Sequence, residues 1–593
     1  CLPLESICQS VNLTIHQLEL FVPSLLLLSN WAVTGILLFK RLKMTFDYII
    51  VGAGSAGSVV ANRLCSANHS VLLIEAGPEN KGLSLKMPAA CLTNLKSQKR
   101  NWAFKGEPEP ELNGRQIQHD RGKTLGGSSS INGMVFIRGH ALDYDGWRQS
   151  GCDGWGYADV LPYFKKMENY SGGGDSFRGA TGPLKIQRPE TNNPFFLRFI
   201  EAGKEAGYPL TDDINGFRQE GFGLLDSSIF KGERSSTAVS YLEPLKNCIN
   251  LTIVTTAQVQ RVLIENGRAT GVVYKKKSGK DIKAIAKKEV ILSAGAVGSP
   301  HILMLSGIGP AKHLKDLGIE VVADLPGVGQ NLNDHPDFVL KYKSLKPISI
   351  WPKTKPHMKF LAGIQWILTR KGICASNHFD VVACVRSGPG VEYPDLQLTI
   401  SPIAVDDETW SPLQEHAFQI HVGLMRAHSR GAIELRNANP KTPPRILVNY
   451  LKDSRDRDLL RIGIRLVREL VGQPTFADIR GAEIFPGDDV QADDALDKNM
   501  NTHTTTQWHL SGTARMGTKT DKGAVVDPAG RVHGISRLRV IDASIMPMVT
   551  NGNTNSPTIM IAEKLSDSIL GKPPLPSIEA EVWQNPDYET KQR

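Results

Sequence analysis

The six residues from Gly52 to Gly57 (GAGSAG) constrain the fold of this chain more than any other segment. They follow an apolar run at 46–51 that is typical of a buried strand, and they precede a helix-like run at 58–64. Three glycines at this spacing permit a tight turn, let the backbone approach a phosphate closely and let the helix pack on the strand. Since a helix start also presents free N–H groups to phosphate, the segment predicts a nucleotide-binding β-α-β unit.

A second strand and an acidic residue follow in the order that such a unit requires. Residues 70–74 (SVLLI) form the next apolar run, and Glu75 stands at its end. A carboxylate at this position accepts hydrogen bonds from the hydroxyl groups of an adenosine ribose. The alternative is an ordinary glycine-rich turn, but strand, glycines, helix, strand and acid in this order favour a dinucleotide site.

Size and composition exclude several classes of protein. The chain has 593 residues, of which 41% are hydrophobic and 22% are charged, so it is long enough for several folding units and is neither disordered nor a multispan membrane protein. The net charge of +9 is spread thinly without a basic block, which argues against binding to nucleic acid. The eight cysteines include no C-x-x-C pair, so we expect no metal site.

An apolar stretch near the amino terminus leaves the location of the protein open. Residues 20–39 carry no charge and are long enough to cross a bilayer, and Lys40, Arg41 and Lys43 follow them. If residues 1–43 belong to the protein, we expect a membrane-anchored or secreted enzyme with a possible membrane contact at 20–39. If translation starts at Met44, we expect a soluble intracellular one.

Further elements follow from hydrophobic periodicity. The sequence predicts paired strands within 251–262, a buried strand at 288–292, a helix at 456–471, a strand at 538–542 and a helix at 558–570. Another helix is predicted at 356–369, where we favour a surface lid over a membrane-binding element. A second glycine- and serine-rich segment at 119–133 has the composition of a loop that wraps another part of the same ligand.

From about Phe46 to Leu570 the chain resembles the glucose-methanol-choline (GMC) flavoprotein oxidoreductases. Four motifs carry the resemblance, in the order of that family: GAGSAG with Glu75, the loop 121–133, the segment GSPHILMLSGIG at 298–309, and Trp508-His509 together with Asn553-Thr554-Asn555. The resemblance implies an α/β fold in which a Rossmann-like FAD-binding domain is interleaved with an α+β substrate-binding domain built on an antiparallel sheet.

The resemblance also implies domain boundaries. We expect an amino-terminal apolar segment at 1–44, an FAD-binding domain at 45–340 with a substrate-domain insertion near 155–225, and a substrate-binding domain at 341–519. The chain then returns to the FAD-binding domain at 520–570 and ends in a tail at 571–593.

FAD is the cofactor that the resemblance implies. The residues expected to hold it are Gly52, Gly54, Ser55, Ala56, Gly57, Glu75, Arg121, Gly126, Gly127, Ser128, Asn132, Gly133, Val259, Asp542, Ala543, Asn553 and Thr554. Some relatives attach the flavin covalently through a histidine in the second glycine loop. Ile131 occupies that place here, so we expect noncovalent FAD.

Alcohol oxidation needs a base, because an unassisted hydroxyl is about as weak an acid as water, with a pKa near 15.7. Histidine suits this role, since its unperturbed pKa of about 6.5 leaves much of it neutral at neutral pH. By resemblance His509 is the catalytic base, and hydride passes from the carbinol carbon to flavin N5. Asn553 would hydrogen-bond the substrate oxygen, although Asn555 is close enough in sequence to be confused with it.

The substrate is less constrained than the reaction. The segment 376–380 (SNHFD) resembles one in choline-oxidising relatives that brings a carboxylate near the cationic group, so Asp380 is a candidate substrate contact. Trp508, in the motif with His509, is a second candidate. However, Thr399 stands where choline enzymes have histidine. The sequence therefore predicts a small-molecule alcohol without choosing among choline, a sugar, an aliphatic alcohol or a sterol.

Other functions remain open at this stage. Oxygen, a quinone or another compound could accept the electrons, and NAD is not expected to do so. A hydroxynitrile-lyase-type enzyme on the same fold and a catalytically silent flavin-binding protein are the alternatives.

Overall fold

The computed structural model describes residues 45–276, 279–407 and 409–593. The predicted apolar segment at 1–44, with its possible membrane contact at 20–39, lies outside the described residues. Within the described ranges, no helix is both long enough and apolar enough to cross a bilayer.

The first sheet has a parallel part built around the strand Thr45–Val51. This strand pairs in parallel with Val71–Ile74 on one side and with Asp281–Leu292 on the other. Residues 49–51 are almost completely buried, as expected for a parallel strand covered by structure on both faces. The strands of the sheet, in spatial order, are Leu251–Val254, Val71–Ile74, Thr45–Val51, Asp281–Leu292, Arg268–Lys276 and Ala257–Glu265.

The long strand Asp281–Leu292 joins two regions of this sheet. Its first half pairs antiparallel with Arg268–Lys276, and its last residues pair in parallel with Leu538–Val540. A strand from near the end of the chain therefore completes a sheet that starts at residue 45. The last helix, Asn555–Ile569, packs on the first helix, Ser55–Ser66, and closes the same unit.

The second sheet is antiparallel throughout. Its main strands, in spatial order, are Arg480–Phe485, Pro336–Ser344, Ala417–Leu424, Leu396–Ser401, Val381–Val385 and Gly221–Leu224, and Thr505–Thr506 pairs with Pro336–Ser344. Helices Pro194–Glu205 and Ser454–Val471 pack on this sheet. One mixed and one antiparallel sheet confirm the predicted fold class.

Several predicted elements agree with the structure to within a few residues. The strands predicted as a pair within 251–262 are Leu251–Val254 and Ala257–Glu265, but the chain turns at Thr256 (φ +55°) and they pair with Val71–Ile74 and Arg268–Lys276 rather than with each other. The strand predicted at 288–292 begins earlier, at Asp281, because its first half pairs with Arg268–Lys276. The helix predicted at 456–471 spans Ser454–Val471. It begins two residues before the predicted start because the Asp453 side chain accepts a hydrogen bond from the Arg455 N–H and caps the helix there. The helix predicted at 558–570 spans Asn555–Ile569. The remaining helices are Leu83–Lys86, Cys91–Leu95, Ala141–Gln149, Tyr157–Met167, Gly295–Leu305, Ala311–Asp316, Pro356–Thr369 and Asp493–His503.

Candidate active site

The first glycine loop forms a cradle that side chains would block. Gly52 has φ +96°, and a Cβ there would lie 2.4 Å from the Ser293 carbonyl oxygen. A Cβ on Gly57 would lie 1.9 Å from the Gly52 carbonyl oxygen, so the third glycine lets the helix Ser55–Ser66 start directly beneath the turn. Gly52, Gly54, Ser55 and Ala56 line a large cavity at the start of this helix, whereas Gly57 is not among its described lining residues.

Glu75 ends the second strand and also lines the cavity. Its carboxylate accepts hydrogen bonds from the N–H groups of Ala53 (3.0 Å) and Gly77 (2.8 Å). Burial raises its pKa to about 7. Each carboxylate oxygen has a further lone pair, so Glu75 can still accept from a ligand hydroxyl.

The second glycine loop lies against the first. A Cβ on Gly127, which has φ +52°, would lie 2.6 Å from the Gly54 Cα, and the Gly126 N–H donates to the Ala53 carbonyl (2.7 Å). Of the residues predicted in this loop, Arg121, Gly127, Ser128, Asn132 and Gly133 line the cavity. Gly126 is not among the described lining residues, because it packs beside Ser130 and Ala238.

Residues from the late part of the chain close the cradle. The Asp542 carboxylate accepts from the Gly295 N–H (2.9 Å) and the Ser299 hydroxyl (2.6 Å), which ties the strand Leu538–Val540 to the start of the helix Gly295–Leu305. Asp542, Ala543, Thr554 and Val259 all line the same cavity. Residues predicted from separate parts of the chain therefore line one cavity.

The cavity has a volume of about 610 Å³ and extends from the glycine cradle to the antiparallel sheet. At the sheet end it is lined by Asp337, Gln397, Thr399, Gln419, His421, Phe485, Trp508 and His509, with Phe379, Asp407 and Trp410 from loops. One end thus offers glycine backbone and an acid, and the other offers aromatic, histidine and carboxylate side chains. Such a cavity can hold a long cofactor with a small substrate beside its far end.

His509 lies at the junction of these two parts. Its Nε2 is 3.1 Å from the Asn553 Nδ2, and its Nδ1 is 2.9 Å from the His335 Nδ1. Asn553 and His509 line the cavity, whereas the Asn555 Oδ1 accepts from the Ser55 hydroxyl (2.7 Å). The structure therefore brings Asn553, and not Asn555, to the histidine.

The hydrogen bonds of His509 fit one tautomer. With the Asn553 amide in its assigned orientation, its NH₂ donates to the His509 Nε2, so the proton of a neutral ring is on Nδ1. The Nδ1–H then donates to His335, whose own proton is on Nε2. Burial, His335 and Arg121 lower the pKa of His509 well below 6.5, and burial lowers the pKa of His335 to about 3. Both rings are therefore neutral at physiological pH.

The loop 327–335 holds His509 through two neighbouring residues. The Asp334 carboxylate accepts from the His509 N–H (2.6 Å), from the Tyr450 hydroxyl and from the Thr506 hydroxyl. His335 follows directly and contacts the ring. No spacing signal in the sequence links His335 to His509, because the two residues are 174 positions apart.

The two predicted substrate contacts are placed differently. Trp508 lines the cavity with φ +60°, its carbonyl accepts from Arg121, and its ring lies 5.5 Å from that of Trp410. Asp380 is not among the described lining residues. His378 has φ +62°, the chain turns there, and the Asp380 carboxylate accepts from the Ser376 hydroxyl (3.4 Å). Asp337 supplies a buried carboxylate at the sheet end of the cavity.

The residues present fit FAD. A glycine cradle at a helix start suits a pyrophosphate, and Glu75 suits a ribose. The Asn553 Oδ1 and the Trp508 Nε1 are buried at the far end and have no hydrogen-bond partner among the described residues. No group of three or more His, Cys, Asp or Glu side chains able to hold a metal ion occurs in the described ranges.

A dinucleotide-binding α/β unit that shares a cavity with an antiparallel sheet and a buried histidine fits the class of flavin-dependent alcohol oxidoreductases. Family models described as GMC oxidoreductase match residues 46–337 and 427–562. The chain belongs to the GMC oxidoreductase family. It is an FAD-dependent enzyme that oxidises the CH–OH group of an alcohol.

Curated relatives match over nearly the whole chain. The oxygen-dependent choline dehydrogenase of Rhizobium etli is 48% identical over 92% of this chain and 99% of the relative. That of Brucella ovis is 47% identical over 93% of this chain and 100% of the relative. Among similar solved structures, pyridoxine 4-oxidase from Mesorbium loti has a TM-score of 0.81 and 29% identity, and the match covers 89% of this chain and 100% of that chain. Formate oxidase has a TM-score of 0.84 and 28% identity, and the match covers 89% of this chain and 98% of that chain.

Proposed function

We propose that this enzyme oxidises choline or a closely related quaternary-ammonium alcohol, with His509 as the catalytic base and Asp337 as the group that faces the cation. The observation that carries the proposal is that the unprotonated Nε2 of His509 and the buried carboxylate of Asp337 line one cavity. The names of the curated relatives, oxygen-dependent choline dehydrogenases, support the same substrate class.

His509 and Asn553 act on the hydroxyl. The Nε2 of His509 accepts the hydroxyl proton, and the Asn553 amide donates a hydrogen bond to the substrate oxygen as charge develops there. The Nδ1–H of His509 remains bonded to His335, which keeps the base oriented. Bound FAD supplies the acceptor for the hydride. Ile131 also lines the cavity, and we propose that FAD is held noncovalently, so that acid precipitation releases it.

The sheet end of the cavity suits a trimethylammonium group. The Asp337 carboxylate is held by His421 (2.8 Å) and by the Gln507 amide (3.1 Å), which fix its position. Nearby Phe379 and Trp410 offer aromatic faces, and both aromatic faces and carboxylates attract a desolvated cation.

A histidine also reaches this end of the cavity from the strand next to Thr399. Thr399 pairs across the sheet with His421, and both line the cavity. Position 399 is a threonine rather than a histidine. His421 on the adjacent strand supplies an imidazole instead.

Anaerobic mixing with choline tests the reaction. We expect the flavin absorbance of the holoenzyme to bleach, and we expect His509→Ala to slow the bleaching by about 10²- to 10⁴-fold while FAD stays bound. A His509→Ala enzyme reduced at the wild-type rate would contradict the role of the base. Because the relatives are named oxygen-dependent, we propose oxygen as the acceptor, and peroxide formation in air, compared with reduction of an artificial dye, tests that choice.

The cation site is tested separately with a neutral substrate of the same shape, 3,3-dimethylbutan-1-ol. We expect Asp337→Asn to lower kcat/KM for choline on the order of tenfold to a hundredfold and to leave the neutral alcohol nearly unchanged, because only the cation loses an attraction. Asp380→Asn is the matched control and should affect neither substrate. An equal loss for both alcohols in Asp337→Asn would remove Asp337 from cation recognition.

A further inference from the structure

The helix Pro356–Thr369 presents large apolar side chains to solvent. Phe360, Leu361 and Leu368 are 68%, 55% and 77% exposed, and Ile364 and Ile367 are also exposed. These residues recur at the spacing of one helix face. Isolated exposed apolar residues are ordinary, but a continuous strip of them marks a binding surface.

The body of the protein holds this helix with that face outward. Trp366 is fully buried, and its indole N–H donates to the Gly232 carbonyl (2.7 Å). Arg370 at the end of the helix pairs with Glu233 (2.6 Å). Gly232 and Glu233 belong to the hairpin of Ile229–Phe230 and Glu233–Arg234, which adds the half-exposed Phe230 to the apolar strip.

The surroundings of the strip are basic. Between Asp337 and Asp380 the sequence contains no Asp or Glu. Lys353, Lys355, Lys359 and Lys371 are exposed around the helix, and Lys231 is exposed at the hairpin tip. Trp351, which lies before the helix, has the Lys355 ammonium 5.2 Å from its ring centroid.

We propose that this helix and hairpin dock the enzyme on the surface of an anionic lipid bilayer. Apolar side chains with a rim of lysine and tryptophan are the features of helices that lie in the bilayer interface, and each lysine near an anionic surface adds to the attraction. A second copy of the chain fits less well, because a symmetric contact would bring the two lysine rims together. The proposal does not depend on the substrate or the acceptor.

The docking surface is next to the active-site cavity. The turn Ile373–Ala375, directly after the helix, packs against Pro88–Ala90, and Ala89 lines the cavity. Docking would therefore place a wall of the cavity close to the lipid headgroups.

Vesicle co-sedimentation of the full-length holoenzyme tests the proposal. We expect binding to vesicles of phosphatidylcholine with phosphatidylserine and little binding to phosphatidylcholine alone. Phe360→Asp combined with Leu368→Asp should weaken binding on the order of tenfold or more, and Lys355→Glu combined with Lys359→Glu should remove the preference for anionic lipid. Ile249→Asp, at a 95% exposed apolar residue elsewhere, is the matched control and should bind as the wild type does.

A local measurement separates this surface from any other membrane contact of the chain. Amide hydrogen exchange should slow several-fold at 356–371 and 229–234 when anionic vesicles are added, while exchange at 245–254 stays unchanged. Unchanged exchange at the helix in the presence of bound vesicles would overturn the proposal. So would a dimer in sedimentation velocity that Phe360→Asp dissociates, because the strip would then be a contact between copies.

Discussion

His509 owes its state to three residues from two segments of the chain. Asn553 faces its Nε2, His335 faces its Nδ1, and Asp334 binds its backbone N–H. Burial alone would leave the ring neutral in either tautomer, whereas these contacts fit the one whose unprotonated Nε2 faces Asn553. His335 both contributes to the low pKa of His509 and contacts its Nδ1.

We expect His335 to act as a positioning residue. In His335→Leu the Nδ1–H of His509 loses its acceptor, the other tautomer gains population, and flavin reduction should slow about ten- to a hundredfold, corresponding to the loss of about 1–3 kcal/mol. His335→Gln keeps an acceptor oxygen and should recover part of the rate. Equal rates in the two variants with full FAD content would show that His335 only fills space.

The low pKa of His509 predicts that the enzyme keeps its activity at mildly acidic pH. A base works when it is unprotonated, and burial and nearby Arg121 disfavour its protonated form, so the pKa lies well below 6.5. We expect kcat/KM for the neutral alcohol to stay on its plateau as the pH falls to 6.5 and to decline only below it. A midpoint at or above 6.5 that disappears in His509→Ala would contradict this assignment.

At the scale of elements, two glycine loops make one cradle. They meet at Gly54 and Gly127, where the Gly54 backbone leaves no space for a side chain on Gly127. The helix Ser55–Ser66 and the short turn Gly127–Ser130 therefore depend on each other for their positions.

We expect Gly127→Ala to weaken FAD binding. The new methyl group would overlap Gly54, and the residue has a positive φ that alanine adopts with strain, so a loss of about 1–3 kcal/mol corresponds to roughly tenfold or more in affinity. The FAD-to-protein ratio after dialysis measures the effect. Gly146→Ala, with nothing within 4 Å of the added Cβ, should retain full FAD.

At the scale of the whole molecule, distant parts of the chain hold each other in place. Arg63 near the start pairs with Glu563 in the last helix (2.5 Å). Arg386 is fully buried, pairs with Glu220 (3.1 Å) and donates to the Lys591 carbonyl (2.9 Å) in the tail. The tail 571–593 is therefore fastened to the antiparallel-sheet region.

Arg386→Met should destabilise the protein strongly. Removing one partner leaves Glu220 buried without its guanidinium, which typically lowers the free energy of unfolding by about 3–5 kcal/mol. Urea unfolding of the holoenzyme followed by circular dichroism measures this change. Arg455→Met, which breaks an exposed pair with Asp453, should leave the midpoint nearly unchanged, and similar midpoints for both variants would contradict the argument.

Local sequence determined the dinucleotide cradle of this protein. A strand, three spaced glycines, a helix and an acid are neighbours in the chain, and the third glycine, Gly57, packs against the Gly52 carbonyl within the same loop. The local motif Trp508-His509 likewise identified His509 as the candidate base, because its two residues are adjacent in the chain.

Only the tertiary structure decided what surrounds that base. His335 contacts His509, and Asp337, Trp410 and His421 line the cavity with it, because antiparallel strands and loops from distant parts of the chain meet there. Which of two close residues faces inward, Asn553 rather than Asn555 or Phe379 rather than Asp380, depends on the local turn and on long-range packing. Periodicity along the chain carries no information about pairing across 174 residues, so the local motifs could name the base but not its partners.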